Sequence, residues 1–413
     1  MLQIIRFESK KIVYSKLTIT MILIGVILII YSFTSNALNY KAYDENGNLI
    51  KGNEAVKEQK SQYKKVFDKI QTDDEIITNL RILNKNYDAE MNKTGFEVDK
   101  ALPKDIYYNF YKPREAYFDW IVDNYSSIHG GDYESLHSLM AKIDNLPDFY
   151  IERGNKISEK LEEHPFRKYS TLEKGFWYKK ANSTKGPYRY GFYEGWSQIN
   201  GTLDIFLFLL LAIGVGVCGV FSKEHETGAD AIILSSKYGK SKVIVGKIIA
   251  ALIFTITVVL LGLLICILPC LLYYGIDGWD LPIQILSTKI LYNWSFLELI
   301  IVRSTIFSLV ALFISAISLF LSSTIKRTTP TVIMVTMIIF GSIFIPNLDN
   351  KLYGMIVGIF PVQINAALYY DTISYPIFGK VFTVYGFATI IYLILSLILY
   401  PLSGKMFKSH QVK

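Results

Sequence analysis

One stretch limits this chain more than any other: in the 32 residues Val243–Tyr274, Lys247 is the only charge. As a helix it would rise about 48 Å, well beyond the ~30 Å of bilayer hydrocarbon. It must therefore tilt or kink, and Gly262 and Pro269 are the places to do so. Leu17–Phe33, Leu203–Phe221, Leu297–Ile325, Pro330–Ile345 and Val381–Leu402 are further apolar runs close to spanning length. They predict an α-helical integral membrane protein with six transmembrane helices. The charged fraction is only 19%, against about 25% for an average soluble protein.

The charges flanking the runs orient them. Arg6, Lys10, Lys11 and Lys16, then Lys223, Lys237, Lys240, Lys242 and Lys247, then Lys326 and Arg327, then Lys405 and Lys408 fall on one side of a six-span chain. The short loops on the other side hold Asp277, Asp280, Asp349 and Asp371 against Lys289, Lys351 and Lys380. Basic residues gather on the cytoplasmic face, which puts both termini inside. The expected order is a leader (1–16) lying as an amphipathic helix on the inner leaflet, a first span (17–35), an extracellular domain (36–201), a five-helix membrane region (202–403) and a tail (404–413). A solvated basic leader is the simpler alternative for the first segment. Ser35, Asn36 and Ala37 would also suit a signal-peptide cleavage site, but the long basic leader favours an uncleaved anchor.

The insert carries 25 basic against 26 acidic residues over Asn36–Thr202, so the chain's net charge of +7 belongs to the membrane part. A nucleic-acid-binding domain needs a one-signed basic face, and this one has none. Apolar residues at three- and four-residue steps (Val56, Tyr63, Phe67, Ile70; Ile76, Ile77, Leu80, Leu83; Leu136, Leu139, Met140, Ile143) predict a mostly helical domain, with a turn at Gly130 and Gly131. Phe176, Trp177, Tyr178, Tyr188, Tyr190, Phe192, Tyr193 and Trp196 crowd its end. An interfacial aromatic belt is the expectation, a ligand-gripping surface the alternative. Cys218, Cys266 and Cys270 all lie in apolar runs. An exported domain without cysteine fits a bacterial cell surface, and a Gram-positive plasma membrane is the expected location.

Between the second and third runs lies a polar island, Ser222–Lys247, read as a cytoplasmic coupling loop. Glu224, Glu226, Gly228, Leu234 with Ser235, Lys240 or Lys242, and Lys247 stand in it in that order. This pattern resembles the permease subunits of type 2 ABC exporters, although Ser236 and a lysine stand where that family usually has Pro and Arg. The resemblance implies a separate cytoplasmic ABC ATPase that supplies ATP and Mg, a second permease copy or related permease, and a re-entrant helical hairpin between the fifth and sixth spans. Here that hairpin would be 348–380, where Leu352–Phe360 and Val362–Tyr370 flank Pro361. It also implies ATPase coupling through Glu224, Glu226, Gly228, Leu234, Ser235 and Lys247: the glutamates would pair with basic residues of the ATPase, and Leu234 would fill an apolar groove on it.

Other motifs point away from chemistry. Gly214, Gly216 and Gly219 spell GxGxxG inside a predicted span, where small residues let helices approach closely. Gly239-Lys240-Ser241 lacks the first glycine of a phosphate loop, and His225-Glu226 lacks the second zinc-protease histidine, Ala229 standing in its place. His129, His137, His164 and His410 read as surface residues. No catalytic set or metal site emerges, and no cofactor is expected in this chain. Glu298 and Arg303 are charges inside the fourth run, where they are costly and often functional. About 140° separates them around a helix, so they are not a same-face pair. Arg303 is expected to snorkel outward, with a place for Arg303 and Glu298 in the transport path or gate as the alternative.

The resulting expectation is a permease moving an amphipathic substrate, such as an antimicrobial peptide or a lipid-like molecule, through the membrane. The alternative is a receptor whose outer domain binds a peptide and signals to a cytoplasmic partner.

Overall fold

The computed structural model describes residues 1–44, 46–67, 69–88, 98–127, 134–163, 167–345, 350–366 and 368–409. The expected Gly130–Gly131 turn, and His129, His164 and His410, lie outside these residues.

The basic leader forms helix α1, Leu2–Val13, with Lys10 and Lys11 in its last turn. It lies against the third apolar helix at Gly246, where a Cβ would come within 2.7 Å of Ile4. Helix α2, Lys16–Asn39, leaves Leu23, Ile27, Ile30 and Tyr31 exposed, as suits a surface facing hydrocarbon. The insert follows. Its main helices are α3 (Gly52–Val66), α4 (Asp73–Lys85), α5 (Glu115–Tyr125), α6 (Phe149–Glu162) and α7 (Thr171–Ser183). Thr72 caps α4 on Glu75 N–H, and Ser170 with Glu173 forms a reciprocal capping box on α7. Two antiparallel ribbons tie the insert, β1 (Lys41–Tyr43) with β2 (Leu49–Lys51), and β3 (Ile70–Gln71) with β4 (Tyr188–Arg189). The helical expectation for the insert holds.

The expected aromatic belt does not. Trp177, Tyr188, Tyr190, Phe192 and Trp196 are buried, and Tyr190 packs on Tyr63, Phe67, Tyr117 and Trp120. A domain with no cysteine builds its core from these rings, because each buries more apolar area than an aliphatic side chain. The loop before the fourth apolar helix enters the same core. Trp120 Nε1 donates to Gln284 O at 2.9 Å, and Arg153 Nε donates to Thr288 O at 2.9 Å.

Helix α8 (Glu194–Asp204) turns at Ile205–Phe206 into α9 (Leu207–Thr227), so the second apolar run is broken near its start. Short α10 (Ala229–Ser235) and a π-turn (Gly239–Val243) lead into α11 (Ile244–Tyr274), which contains Pro269. Then come α12 (Phe296–Thr324) and α13 (Thr328–Phe340), the latter continued as a 3-10 turn through Phe344. Short α14 (Lys351–Val357) and α15 (Pro361–Asn365) flank Pro361. A hairpin of β5 (Ser374–Ile377) and β6 (Lys380–Thr383) leads into α16 (Val384–Ser409), with the turn residues Phe378 and Gly379 both at positive φ.

Among the described residues, five helices are long and apolar enough to cross a membrane: Lys16–Asn39, Glu194–Thr227, Gly239–Tyr274, Phe296–Thr324 and Val384–Ser409. The fifth expected run, Pro330–Ile345, forms the shorter apolar helix Thr328–Phe344. Helix α9 is central. Its apolar window is 72% buried against 17% for α2, and it packs on α2, α11, α12 and α13. Two of its glycines explain the close fit. A Cβ on Gly214 would lie 2.6 Å from Val335 of α13, and one on Gly216 would lie 2.8 Å from Phe254 of α11. Gly214 and Gly216 are thus packing devices, whereas Gly219 faces the stem of Lys223 on its own helix.

Candidate functional site

Two clusters of charge lie inside the helical bundle, one at each end of α9. The first holds the elbow formed by α9, α10 and α11. Helix α9 continues past its apolar run to Thr227 and stops at Gly228, whose φ of +69° is a conformation that favours glycine. Across this turn His225 Nδ1 and Asp230 Oδ2 lie 2.9 Å apart.

Because α9 stays helical to Thr227, Glu224 sits one turn below Val220 on a buried face, and its neighbour there is Lys247. The Lys247 ammonium is fully buried and donates to Glu8 Oε2 (2.9 Å), Glu224 Oε1 (2.5 Å) and Val220 O (3.1 Å). Lys11 is half exposed and reaches both carboxylates at 3.4 Å. One cation is thus shared by α1, α9 and α11, which fixes the leader helix to the elbow. Burying these charges is tolerable only because each has an opposite partner. Glu226 faces another way: it accepts from Thr328 N–H at 2.6 Å and from Thr328 Oγ1 at 3.2 Å. It therefore caps α13 from a neighbouring helix.

The site residues expected to meet a partner are therefore placed differently by the fold. Glu224, Lys247 and Leu234 point into the chain, and Glu226 is engaged with α13. Gly228 makes the turn, and Ser235 is exposed. The side chains the elbow turns outward are Ile232, 74% exposed, and Tyr238, 47% exposed, with Lys237 and Lys242 over the Tyr238 ring. The sequence signal for Ile232 was available. Ile232 and Leu234 lie two residues apart and so face opposite ways on a helix of 3.6 residues per turn, and the expectation took Leu234 as the outward one.

The second cluster centres on Arg303 of α12. It is 3% exposed, so it does not snorkel outward. Its guanidinium donates to Asn200 O at 2.7 Å and to Asn200 Oδ1, to Asp204 Oδ1 at 2.5 Å, and to Asn365 O at 2.8 Å. Asn365 in turn donates from Nδ2 to Asp204 O at 2.9 Å, and Asn200 donates to Tyr369 Oη at 2.7 Å. The planar fork of an arginine suits such a many-acceptor site in a way a lysine cannot. The cluster lies where α8 breaks into α9 and where α15 ends, so it satisfies carbonyls freed by both interruptions. Glu298 is elsewhere: with Ser295 it forms the capping box of α12.

The short-helix segment is also gripped by the insert. Arg167 pairs with Asp371 at 2.6 Å, Lys160 Nζ donates to Tyr370 O at 2.7 Å, Lys351 pairs with Glu173 at 2.5 Å, and Ser374 donates to Glu173 at 3.0 Å. Burial would raise the Asp371 carboxyl, but Arg167, Lys160 and the Thr372 amide hold it below the usual carboxylate range. Burial, opposed by Asp371 and reinforced by Arg167 and Lys289, pushes the Lys160 ammonium down to about 8.

Comparison with curated proteins and with solved structures finds no match. The family described as ABC-2 family transporter protein matches residues 2–366. That stretch runs from the leader helix through the elbow and the Arg303 cluster to the end of α15, and on this ground the chain belongs to the ABC-2 family of transporter proteins, as a multi-pass membrane permease.

Proposed function

We propose that this chain is the membrane-spanning permease subunit of an ATP-driven exporter in a bacterial plasma membrane, powered by a separate cytoplasmic ABC ATPase that binds ATP and Mg. In this reading both termini and the elbow face the cytoplasm, and α13 completes a six-span set. The insert is extracellular, and α14 with α15 forms a re-entrant hairpin in the outer leaflet. Two permease chains enclose the path, since one such set of helices encloses little by itself. The cargo is an amphipathic molecule, a peptide or a lipid-like compound, suited to a mostly apolar route.

The observation that carries the ATPase partnership is the outward face of the elbow. A short rigid helix projects Ile232 between the ends of α9 and α11, beside an aromatic ring with lysines over it, while its other side is fixed by buried ion pairs. An exposed apolar side chain on a braced knob is what a groove on a soluble partner would hold. In this reading Glu224, Glu226, Gly228, Leu234 and Lys247 shape the knob, and Ile232, Ser235 and Tyr238 touch the partner.

The test is affinity purification of the tagged chain from its native membrane. The wild type should bring down an ATPase, and Ile232→Asp should lose it while the permease itself is recovered in equal amount. No ATPase with the wild type, or an undiminished one with Ile232→Asp, refutes the proposal. A kinase recovered in its place would favour the receptor reading.

A further inference from the structure

Beside the elbow, α1, the start of α2, α9 and α10 enclose a cavity of about 390 Å³. This is at the small end of the ~300–1,000 Å³ typical of ligand sites. One stripe of α9 forms its back wall, Gly216, Gly219, Val220, Lys223, Glu224 and Thr227, which recur at the three- and four-residue steps of one helix face. This stripe crosses from the apolar run into the polar island, so the cavity stands at the level where hydrocarbon gives way to headgroups. Leu17 and Val215 line its apolar part, Glu8 and Lys11 its polar part.

Two features fix the chemistry of an occupant. Glu224 is 6% exposed and lines the cavity. Its Oε1 is taken by Lys247, but its Oε2 is buried with no hydrogen-bond donor among the described residues. A buried carboxylate oxygen left without a donor is expensive, and a primary ammonium, with three N–H groups, is the donor that suits it. Within the same wall are two cations for an anionic group. Lys11 is half exposed, and Lys223 is exposed with its aliphatic stem folded over Gly219. Acid, base and apolar wall in this order match a zwitterionic phospholipid: ammonium on Glu224, phosphate between Lys11 and Lys223, and the first chain methylenes against Val215 and Leu17.

We propose that this cavity binds the headgroup of an aminophospholipid of the phosphatidylethanolamine type, drawn from the inner leaflet, and that the lipid braces the elbow. A trimethylated ammonium has no N–H to give Glu224, and a glycerol headgroup has no cation, so the site discriminates against both.

The full-length protein in detergent, supplied with phosphatidylethanolamine, phosphatidylcholine or phosphatidylglycerol of equal chain length, tests this by native mass spectrometry and by apparent unfolding temperature. Phosphatidylethanolamine should be retained about tenfold or more over the other two, as expected for one charge-assisted hydrogen bond, and should raise the unfolding temperature most. Glu224→Gln should abolish the preference. Because it also disturbs the Lys247 pair, Gly219→Leu serves as the second variant. The nearest atoms to a Cβ at 219 are those of the flexible Lys223 side chain, at 2.9–3.4 Å, so leucine would displace Lys223 and fill the cavity without replacing Lys247, Glu8 or Glu224. Gly219→Leu should still fold in detergent yet show no lipid preference and no lipid-dependent rise in unfolding temperature. Equal retention of the three lipids by the wild type, or a preference that survives Gly219→Leu, overturns the proposal.

Discussion

Replacing Lys247 by Met is the most informative perturbation of this chain, because it separates a structural charge cluster from a partner-binding one. The ammonium is fully buried, and each of the two carboxylates it serves is 6% exposed. In Lys247→Met, Glu8 and Glu224 would face each other across an apolar side chain, with only half-exposed Lys11 in reach of both. Removing one member of a buried ion pair costs about 3–5 kcal/mol, and the two carboxylates stranded here put the loss toward the upper part of that range. Replacing all members by uncharged residues is often nearly neutral, so Lys247→Met combined with Glu8→Gln and Glu224→Gln should recover most of the loss. The assay is denaturant and thermal unfolding of the full chain in one detergent, followed by release of the leader helix with a label at Ser9. The label should report detachment of α1 in the single variant before the remaining helices unfold. A single variant within about 0.5 kcal/mol of wild type, the range of ordinary surface changes, would refute the role of Lys247 as a brace. So would a triple variant no better than the single one.

The remaining predictions concern the other end of the molecule. Arg303→Lys keeps the charge but loses the fork, and each charge-assisted hydrogen bond lost should cost about 1.5–3 kcal/mol; an unchanged unfolding midpoint would contradict the geometry. Asp371 has a carboxyl held below its usual range, so its contribution is present above the unfolded value, about pH 4, and is lost as pH falls through the folded one. Hydrogen exchange at 368–374 should therefore quicken on acidification below about pH 4, and Asp371→Asn should remove that limb of the profile. Lys160 has the same sign at higher pH. Its folded value of about 8 lies below the unfolded value of 10.5, so the unfolded state binds more protons between them and stability rises with pH there. Above about pH 10 the buried tyrosines, Tyr188 among them at about 12, reverse the trend. A rise from pH 8 toward 10 in the insert's stability that persists in Lys160→Met would refute the assignment.

How far the fold was legible depended on whether a residue's role is set by its own segment. The apolar runs were legible because bilayer length and helix period act locally, and α12 starts one residue before the expected Leu297. The roles of Glu224 and Lys247 were not, although both residues were singled out, because their partner Glu8 lies more than two hundred positions away and only the fold brings it near. Arg303 was misplaced on the same ground: an arginine near the end of an apolar run snorkels by default, and the acceptors on Asn200, Asp204 and Asn365 come from two other segments, α8 and α15. The β5–β6 hairpin was missed because its turn, Phe378-Gly379, puts a phenylalanine at φ +48°, where Asn, Asp or Gly is the usual signal. The aromatic insert core was misread because composition alone does not say which side of a ring faces water.

The two charge clusters are joined by a single element. From Asp204 to Glu224 the chain is essentially the helix α9, and the separation is about 30 Å at 1.5 Å per residue. Its flanks are locked to α11 and α13 by the glycine contacts. Such a rod has little freedom to bend, so a displacement imposed at the elbow must reappear at the Arg303 cluster, where α15 and the segment held by Arg167 and Lys160 begin. Static stability does not need this connection, and the unfolding costs of Lys247→Met and Arg303→Lys should add to within about 0.5 kcal/mol, as for any two distant sites. Conformational exchange does need it. A spin label on Ile232 and one on Tyr370 should change environment together when a ligand binds at either end. Gly214→Val, which wedges α9 from α13 midway, should uncouple them without moving either label's resting environment. Labels that still respond together in Gly214→Val would show that the signal bypasses α9.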